Sequence, residues 1–195
     1  MTPKTPTPPA ADTRQRILDI ATDLFREHGY AGTSIRDIAE GLGMTKAALY
    51  YHFTCKDDVL DALVAPTIKA IEGFIDHAEK TPGTDPAELL RQFVTVLARN
   101  APSLTTTLGD PVVLRTEAGR FRLLEKQIRL VMLIAGPDAD ETRLLRAHAA
   151  LGSIRAALEA LRPTCPSDND PLAVQRSIER HLDTIVAAAV GALQG

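Results

Sequence analysis

The chain has 195 residues, of which 45% are hydrophobic and 24% are charged, a balance typical of folded proteins. Its net charge of −3 excludes a protein that binds polyanions with its whole surface, so any nucleic-acid contact must come from a local basic patch. Two cysteines are too few for a disulfide framework, and no apolar run approaches the roughly 20 residues of a membrane-spanning helix. We therefore expect a cytoplasmic protein with free thiols and no membrane partner.

The start of the chain predicts a disordered tail over residues 1–11, because four prolines interrupt it and it lacks the apolar core of a signal peptide. A helical pattern follows from Asp12, with apolar residues on one stripe, and ends near Gly29. This helix is expected to support the two that come next.

The segment from Thr33 to Lys56 has the pattern of two short helices joined by a glycine turn. Ser34 precedes apolar residues at helical spacing, and Asp37 stands where it can close a capping box. The glycines at positions 41 and 43 supply a flexible turn, and Thr45 is a suitable cap for the second helix. The segment therefore predicts a helix-turn-helix.

The second of these helices has two distinct faces. Leu49 and Phe53 lie one turn apart and are expected to face inward. The opposite face carries Lys46, Ala47, Tyr50 and Tyr51. Such a helix fits the major groove of B-DNA, where lysine can donate to guanine and alanine can contact a thymine methyl. An ordinary helical corner of an all-α protein has the same pattern, so that alternative stays open.

The rest of the chain also has helical rather than strand patterns, which predicts an all-α fold. The last two patterns, over 138–161 and 174–193, have apolar stripes interleaved with alanine and glycine. Two copies of this pair are predicted to form an intermolecular four-helix bundle, although both stripes can instead face the chain's own core. The predicted dimer residues are Leu144, Leu151, Ile154, Leu158, Ile178, Leu182, Ile185 and Ala189.

Enzyme motifs are missing from the sequence. The segment 41–46 resembles a phosphate loop only superficially, since it lacks the required Gly-Lys-Ser/Thr and a preceding strand. The five histidines form no pair at i, i+4 spacing and have no partner cysteine. We expect neither an enzyme nor a bound metal or cofactor.

The motifs Tyr30-Ala-Gly-Thr-Ser-Ile-Arg-Asp-Ile-Ala39 and Gly43-Met-Thr-Lys-Ala-Ala-Leu-Tyr-Tyr-His-Phe53 resemble the TetR family of bacterial transcriptional regulators. The resemblance is strong from Asp12 to Leu63 and rests beyond that on helix order and length alone. It implies an N-terminal three-helix head, joined by a long helix to a helical effector-binding and dimerisation body, with about nine helices in all. The implied divisions are a tail over 1–11, a DNA-binding head over 12–56 and a body over 57–195.

The resemblance also implies which residues of the head contact DNA. Thr33 and Ser34 would meet a phosphate, and Arg36, held back by its neighbour Asp37, would reach bases or backbone. The major groove would receive Thr45, Lys46, Ala47 and Tyr51, while the backbone would be met by Tyr50, His52 and Lys56. A packed His52 is the alternative for that residue, and Cys55 has no assigned role.

For the whole protein, the resemblance implies a repressor that binds a palindromic operator in double-stranded DNA as a homodimer and is released by a small-molecule effector. Candidate effector contacts are Phe74, His77, Phe93, Leu97, Leu108, Phe121, Leu124, Ile128 and His148. Core packing is the alternative for most of them, and the scarcity of aromatic residues favours an aliphatic effector over a large planar one. The competing interpretation of the protein is a helical dimerisation or adaptor protein with a degenerate helix-turn-helix.

Overall fold

A computed structural model describes the backbone of residues 10–101, 117–161 and 172–194, and side chains from 12–101, 124–161 and 172–194. The described part consists of nine helices without strands, which confirms the all-α prediction. The tail prediction over 1–9, Leu108, Cys165 and the side chain of Phe121 lie outside this part, whereas residues 10 and 11 belong to the first helix.

The helices follow one another in the predicted order. They are α1 (Ala10–Gly32), α2 (Ile35–Gly41), α3 (Lys46–Tyr50), α4 (Lys56–Glu79), α5 (Pro86–Arg99), α6 (Glu117–Ala135), α7 (Glu141–Ala160), α8 (Ala173–Arg180) and α9 (Leu182–Gln194). One boundary differs from the sequence prediction: the last apolar stripe is not one helix, because the backbone at His181 leaves helical geometry and separates α8 from α9. None of the helices that the structure describes is long and apolar enough to cross a bilayer.

The chain divides into two compact units, residues 1–63 and 64–195. In the first unit, which we call the head, α1 to α3 and the first two turns of α4 surround a small apolar core. Ile17, Ile38, Leu49 and Val59 in this core are fully buried. This core leaves the remaining polar surface of α2 and α3 available for contacts.

The second unit, which we call the body, is held together by a larger apolar core. Within it α7 packs along α9, α9 also contacts α5, and α6 contacts α7. Leu90, Val94, Ile154 and Ile178 lie at its centre with almost no exposure. The body therefore buries the apolar stripes of its own helices.

This packing corrects the predicted dimer interface. Five of the eight predicted residues are buried in the body's own core, and they are Ile154, Leu158, Ile178, Ile185 and Ala189. The other three, Leu144, Leu151 and Leu182, are partly buried against the same core. The five buried side chains have almost no surface left for a second copy, which favours the alternative that the stripes face the chain's own core.

Candidate nucleic-acid interface

The start of α2 is fixed by the capping box that the sequence predicted. The Ser34 hydroxyl accepts from the Asp37 N–H at 3.2 Å, and the Asp37 carboxylate accepts from the Ser34 N–H at 2.7 Å. The backbone N–H of Ser34, followed by its hydroxyl, holds the pKa of Asp37 below its ordinary value. The Ser34 side chain is exposed at this helix start.

The turn between α2 and α3 depends on glycine. Gly43 has a φ of 64°, in the left-handed region that side chains disfavour. The Met44 N–H returns to the carbonyl of Ala39 at 2.9 Å, and Thr45 then caps α3 by accepting from the Ala48 N–H at 3.2 Å. The turn and cap together direct α3 away from α2 over a distance of only four residues.

One side of α3 faces the head core and the other faces solvent. Leu49 and Phe53 are buried at 0% and 3% exposure, which confirms the predicted inward face. Phe53 is further covered by Arg14 of α1, whose guanidinium carbon lies 4.7 Å from the ring centroid. The short recognition helix is therefore anchored from beneath by two apolar side chains and a cation–π contact.

The exposed side of α3 brings together the residues predicted to read DNA. It carries Thr45, Lys46, Ala47, Tyr50 and Tyr51, all of which are exposed, with half-buried His52 at its edge. Tyr51 is 84% exposed, an unusual degree for a tyrosine. The Lys46 ammonium lies 5.6 Å from the Tyr50 ring centroid, and the ring of Tyr51 meets that of His52 edge-on at 5.3 Å. This surface, which we call the α3 face, holds one cation and no carboxylate.

Arg36 of α2 is exposed as predicted, but its partner is not the predicted one. Its guanidinium Nε lies 2.6 Å from the carboxylate of Glu40, one turn further along the helix. Asp37 is instead engaged with Ser34. The idea that Asp37 restrains Arg36 was therefore wrong, because the capping box already uses that carboxylate.

Thr33 does not belong to the exposed surface. Its side chain is buried at 2% exposure, and its hydroxyl donates to the carbonyls of Gly29 and Leu24 at 2.9 and 3.1 Å. Because this hydroxyl satisfies the end of α1, turning it toward a phosphate would break contacts inside the head. We therefore remove Thr33 from the predicted DNA-binding residues.

Lys56 is likewise directed into the head. Its ammonium donates to the carbonyls of Tyr30 and Thr33, each at 2.7 Å, and lies 4.1 Å from the Tyr30 ring centroid. In the same turn, the Tyr30 hydroxyl donates to the carboxylate of Asp57. The predicted pairing of Lys56 with phosphate is thus not its arrangement in the structure.

Sequence reasoning did not assign a role to Tyr30, Asp57, Asp58 or Arg14. Asp58 accepts from the Thr54 and Cys55 N–H groups at 2.9 and 3.2 Å and so fixes the segment between α3 and α4. Asp58 has a local signal, because an acidic residue at the third position of a helix can accept from the N–H of the residue that precedes the helix. The contact between Tyr30 and Asp57 spans 27 residues and has no such signal.

In the body, the predicted effector residues do not converge on a common site within the described part. Phe74, Phe93 and Leu97 belong to the apolar core, with the two phenylalanine rings 5.8 Å apart. His77 and His148 are exposed, and Leu124 and Ile128 are about half exposed, so these four face solvent. A cleft of about 240 Å³ lies elsewhere, and it is lined in part by Ile134, Arg143, Arg146, Val190 and Leu193.

A row of ion pairs joins α4 and α6 within the body. Lys126, only 6% exposed, lies 3.0 Å from Glu72, and Arg129 lies 2.7 Å from Asp76 and 2.6 Å from Glu79. The Arg129 guanidinium holds the pKa values of Asp76 and Glu79 below their ordinary range. These pairs connect the two helices along one side of the body.

The sequence similarity to known proteins includes the head. Residues 17–63 match the family model described as bacterial regulatory proteins, tetR family. The chain is 38% identical over 88 residues to the HTH-type transcriptional regulator AcrR of Shigella flexneri, covering 44% of this chain and 40% of AcrR. It is 39% identical over 75 residues to the HTH-type transcriptional repressor KstR2 of Rhodococcus jostii (strain RHA1), covering 35% of this chain and 33% of KstR2. The alignments thus span less than half the length of these curated relatives.

The likeness in structure extends further along the chain. A member of the TetR transcriptional regulator family from Streptomyces coelicolor A3 has 25% sequence identity and a TM-score of 0.65. The superposition covers 98% of this chain and 94% of that one. The similarity in fold therefore includes the body as well as the head.

Proposed function

We propose that the chain is a DNA-binding transcriptional regulator of the TetR family rather than an enzyme, because its head matches the family model and its fold matches a family member along almost the whole chain. The observation that carries the proposal is the α3 face, where one lysine, one alanine and two tyrosines are exposed together on a capped and anchored helix. An adaptor protein with a degenerate helix-turn-helix has no need of that combination. Large aromatic side chains exposed side by side are typical of a surface that binds a partner.

The α3 face supports a division of labour among its residues. Lys46, in the first turn of α3, donates to a guanine edge, and Ala47 contacts a thymine methyl. Tyr51 lies beside them in the major groove, and Tyr50 presents its hydroxyl group to a phosphate oxygen, which positions the helix without reading sequence. We also assign a phosphate contact to Ser34, which is exposed at the start of α2.

We further propose a homodimer that binds a palindromic operator, since paired recognition helices require half-sites about one helical turn apart or a multiple of it. Support for a dimer comes from the outward faces of the adjacent helices α7 and α9. These faces carry Leu145, Ala149, Gly152 and Ala156 on α7 and Ala187, Ala188 and Gly191 on α9, all exposed. Leu145 is 64% exposed, and small residues around it allow close helix approach. In sedimentation experiments we expect the parent protein to be a dimer and the Leu145→Glu variant to be a monomer. If both proteins sediment as dimers, the proposed interface is wrong.

The proposed regulator is a repressor that a small, mostly aliphatic effector releases from DNA. The relative KstR2 is named a transcriptional repressor, and the body of this chain offers an apolar interior with one unusual polar atom. The Thr67 hydroxyl of α4 is buried and has no hydrogen-bond partner among the described residues, so an effector's polar group would remove the cost of burying it. Thermal shifts produced by aliphatic acids or alcohols support this proposal, whereas shifts produced by planar polycyclic cations alone would overturn it.

The experiment that tests the DNA-binding function is selection of bound fragments from a random duplex library by the full-length protein. We expect enrichment of one palindromic sequence, and Lys46→Ala should weaken its binding by about 1–3 kcal/mol and relax base preference at one position of each half-site. Lys80→Ala is the matched control, because it removes the same charge from an exposed position in the body. No enrichment, or equal affinities for the three proteins, would favour the adaptor alternative.

A further inference from the structure

The cleft in the body brings together the ends of four helices. Its volume is about 240 Å³, and its lining comes from the start of α5, the end of α6, the start of α7 and the end of α9. None of the described lining residues belongs to α4, which carries the Thr67 hydroxyl assigned to the effector. The proposed function therefore leaves this cleft without a role.

Part of the cleft lining is apolar. Ile134 of α6 is buried, and Val190 and Leu193 of α9 are partly buried against the body core. An alkyl group that occupies the cleft removes these side chains and itself from water, which favours binding. The cleft is smaller than the about 300–1,000 Å³ that is typical of sites for drug-sized ligands. The lining and the volume together favour a small ligand with an aliphatic part.

The lining also contains two arginine side chains from the first two turns of α7. Arg143 is exposed and Arg146 is half-buried, and within the described part of the chain neither guanidinium has an ion pair or a hydrogen bond. By contrast, Arg91 and Arg129 of the same unit each lie 2.7 Å from a carboxylate oxygen. Guanidinium groups match the planar geometry of a carboxylate and can bind it through two parallel hydrogen bonds. The two arginines of the cleft are therefore available to an anionic ligand.

The remaining charge of the described lining is the carboxylate of Asp85, which caps α5. It accepts from the N–H groups of Ala87 and Glu88 at 3.1 and 3.4 Å, so it is oriented toward the helix start. These two N–H groups are thereby used, and Pro86 has none, so the first turn of α5 adds no free donor at these positions. Two positive charges and one negative charge leave a net charge of +1, which a monoanion balances.

We propose that this cleft binds a small aliphatic monocarboxylate. The carboxylate pairs with Arg143 and Arg146, and the alkyl chain lies against the apolar part of the lining. The competing role for the arginines is to balance the partial negative charge of the carbonyls at the helix ends. Arg143 lies near such an end, because a Cβ added at Gly136, just after α6, would be 3.8 Å from its Nη2. That role needs no apolar lining and no cleft.

The experiment measures hexanoate binding to the full-length protein by isothermal titration calorimetry. Acetate and 1-hexanol are the comparison probes, because acetate lacks the long chain and 1-hexanol lacks the charge. The variants are Arg143→Gln, Arg146→Gln and the double variant. Arg155→Gln is the matched control, because it removes an exposed charge of the same helix outside the cleft lining. Thermal unfolding of each variant establishes that the measured protein is folded.

We expect Arg146→Gln to weaken hexanoate binding by about tenfold, the scale of a hydrogen bond to a charged group. Arg143 is more exposed, so Arg143→Gln should weaken binding by only about threefold. The double variant should lose more affinity than either single variant, and Arg155→Gln should bind like the parent protein. Acetate and 1-hexanol should bind the parent protein at least about tenfold more weakly than hexanoate, since each lacks one of the two recognised parts.

Equal hexanoate affinities in the parent protein and the double variant would overturn the inference. The arginines would then serve only the helix ends, and a lower Tm of the double variant without ligand would be their sole effect. Absence of hexanoate binding to the parent protein would overturn the inference as well.

Failure of this inference is distinguishable from failure of the proposed function. Thr67→Val removes the polar atom of the proposed effector site. If hexanoate binding depends on Thr67 and not on the two arginines, the ligand occupies the effector site, and the inference is wrong while the proposed function stands. If the parent protein selects no duplex but its hexanoate binding depends on both arginines, the proposed function fails and the inference stands.

Discussion

The head and the body are stabilised in different ways. The head relies on directional polar contacts: a capping box at Ser34, a cap at Thr45, the bonds that Lys56 donates to two backbone carbonyls and the bonds accepted by Asp58. The body relies on a broad apolar core, with ion pairs such as that between Arg129 and Glu79 at its margin. Apolar burial is non-directional and fixes little beyond proximity, whereas hydrogen bonds fix orientation. The unit that must present a short helix at a defined angle is the one built from hydrogen bonds.

The first prediction separates stability from presentation at the centre of the body. Leu90 is fully buried, so Leu90→Ala removes packing and leaves a cavity. We expect a loss of about 2–5 kcal/mol in the free energy of unfolding, measured by chemical denaturation. The matched control is Ile128→Ala, which truncates a side chain that is 52% exposed and should change that free energy by less than about 0.5 kcal/mol.

At temperatures where Leu90→Ala remains folded, its preference for the selected duplex over unrelated DNA should equal that of the parent protein. A change in preference would mean that packing in the body determines the orientation of α3, and the contrast between the two units would be lost. An equal loss of stability in Ile128→Ala would instead show that this part of α6 is covered in solution.

The same contrast explains how far the sequence could predict the molecule. The capping box and the inward face of α3 were predictable because they depend on residues three or four positions apart, as between Ser34 and Asp37. The main contact of Lys56 was not predictable in this way, because its partner Tyr30 lies 26 residues away and is brought near by tertiary packing. A sequence pattern predicts which residues share a helix face, but it does not predict which groups of other helices contact that face.

In the body the limitation was of another kind. The two stripes that contain Ile154 on α7 and Ile185 on α9 fit a dimer interface and a monomer core equally well, since both require apolar surface at helical spacing. The effector residues were chosen for aromatic or histidine chemistry, yet a ring such as Phe93 packs in the core for the same physical reason that it would bind a ligand. Only packing separates these alternatives.

The second prediction concerns pH and the polar contacts of the head. The pKa of Asp37 is lowered in the folded state, chiefly by the Ser34 N–H, so its ionised form favours folding. This contribution is complete above the unfolded-state pKa and is lost as the pH falls through the folded-state pKa. Asp37→Ala should therefore lower the Tm at neutral pH, and the difference from the parent should shrink steadily in acid. A difference independent of pH would show that the charge of Asp37 has no part in the cap.

The third and smallest predicted effect lies on the exposed side of α2. Glu40 holds the Arg36 guanidinium at 2.6 Å, and both side chains are well exposed, so the pair is weak and easily screened. Glu40→Gln removes a carboxylate beside the α3 face and releases Arg36, which should raise affinity for the selected duplex by about twofold at low salt and less at high salt. Glu159→Gln is the matched control, because it removes an exposed negative charge in the body. Glu79→Gln is unsuitable, because Glu79 pairs with Arg129. If Glu40→Gln binds the duplex more weakly than the parent protein, the ion pair holds Arg36 in the position in which it contacts DNA. Glu40 would then favour DNA binding rather than oppose it.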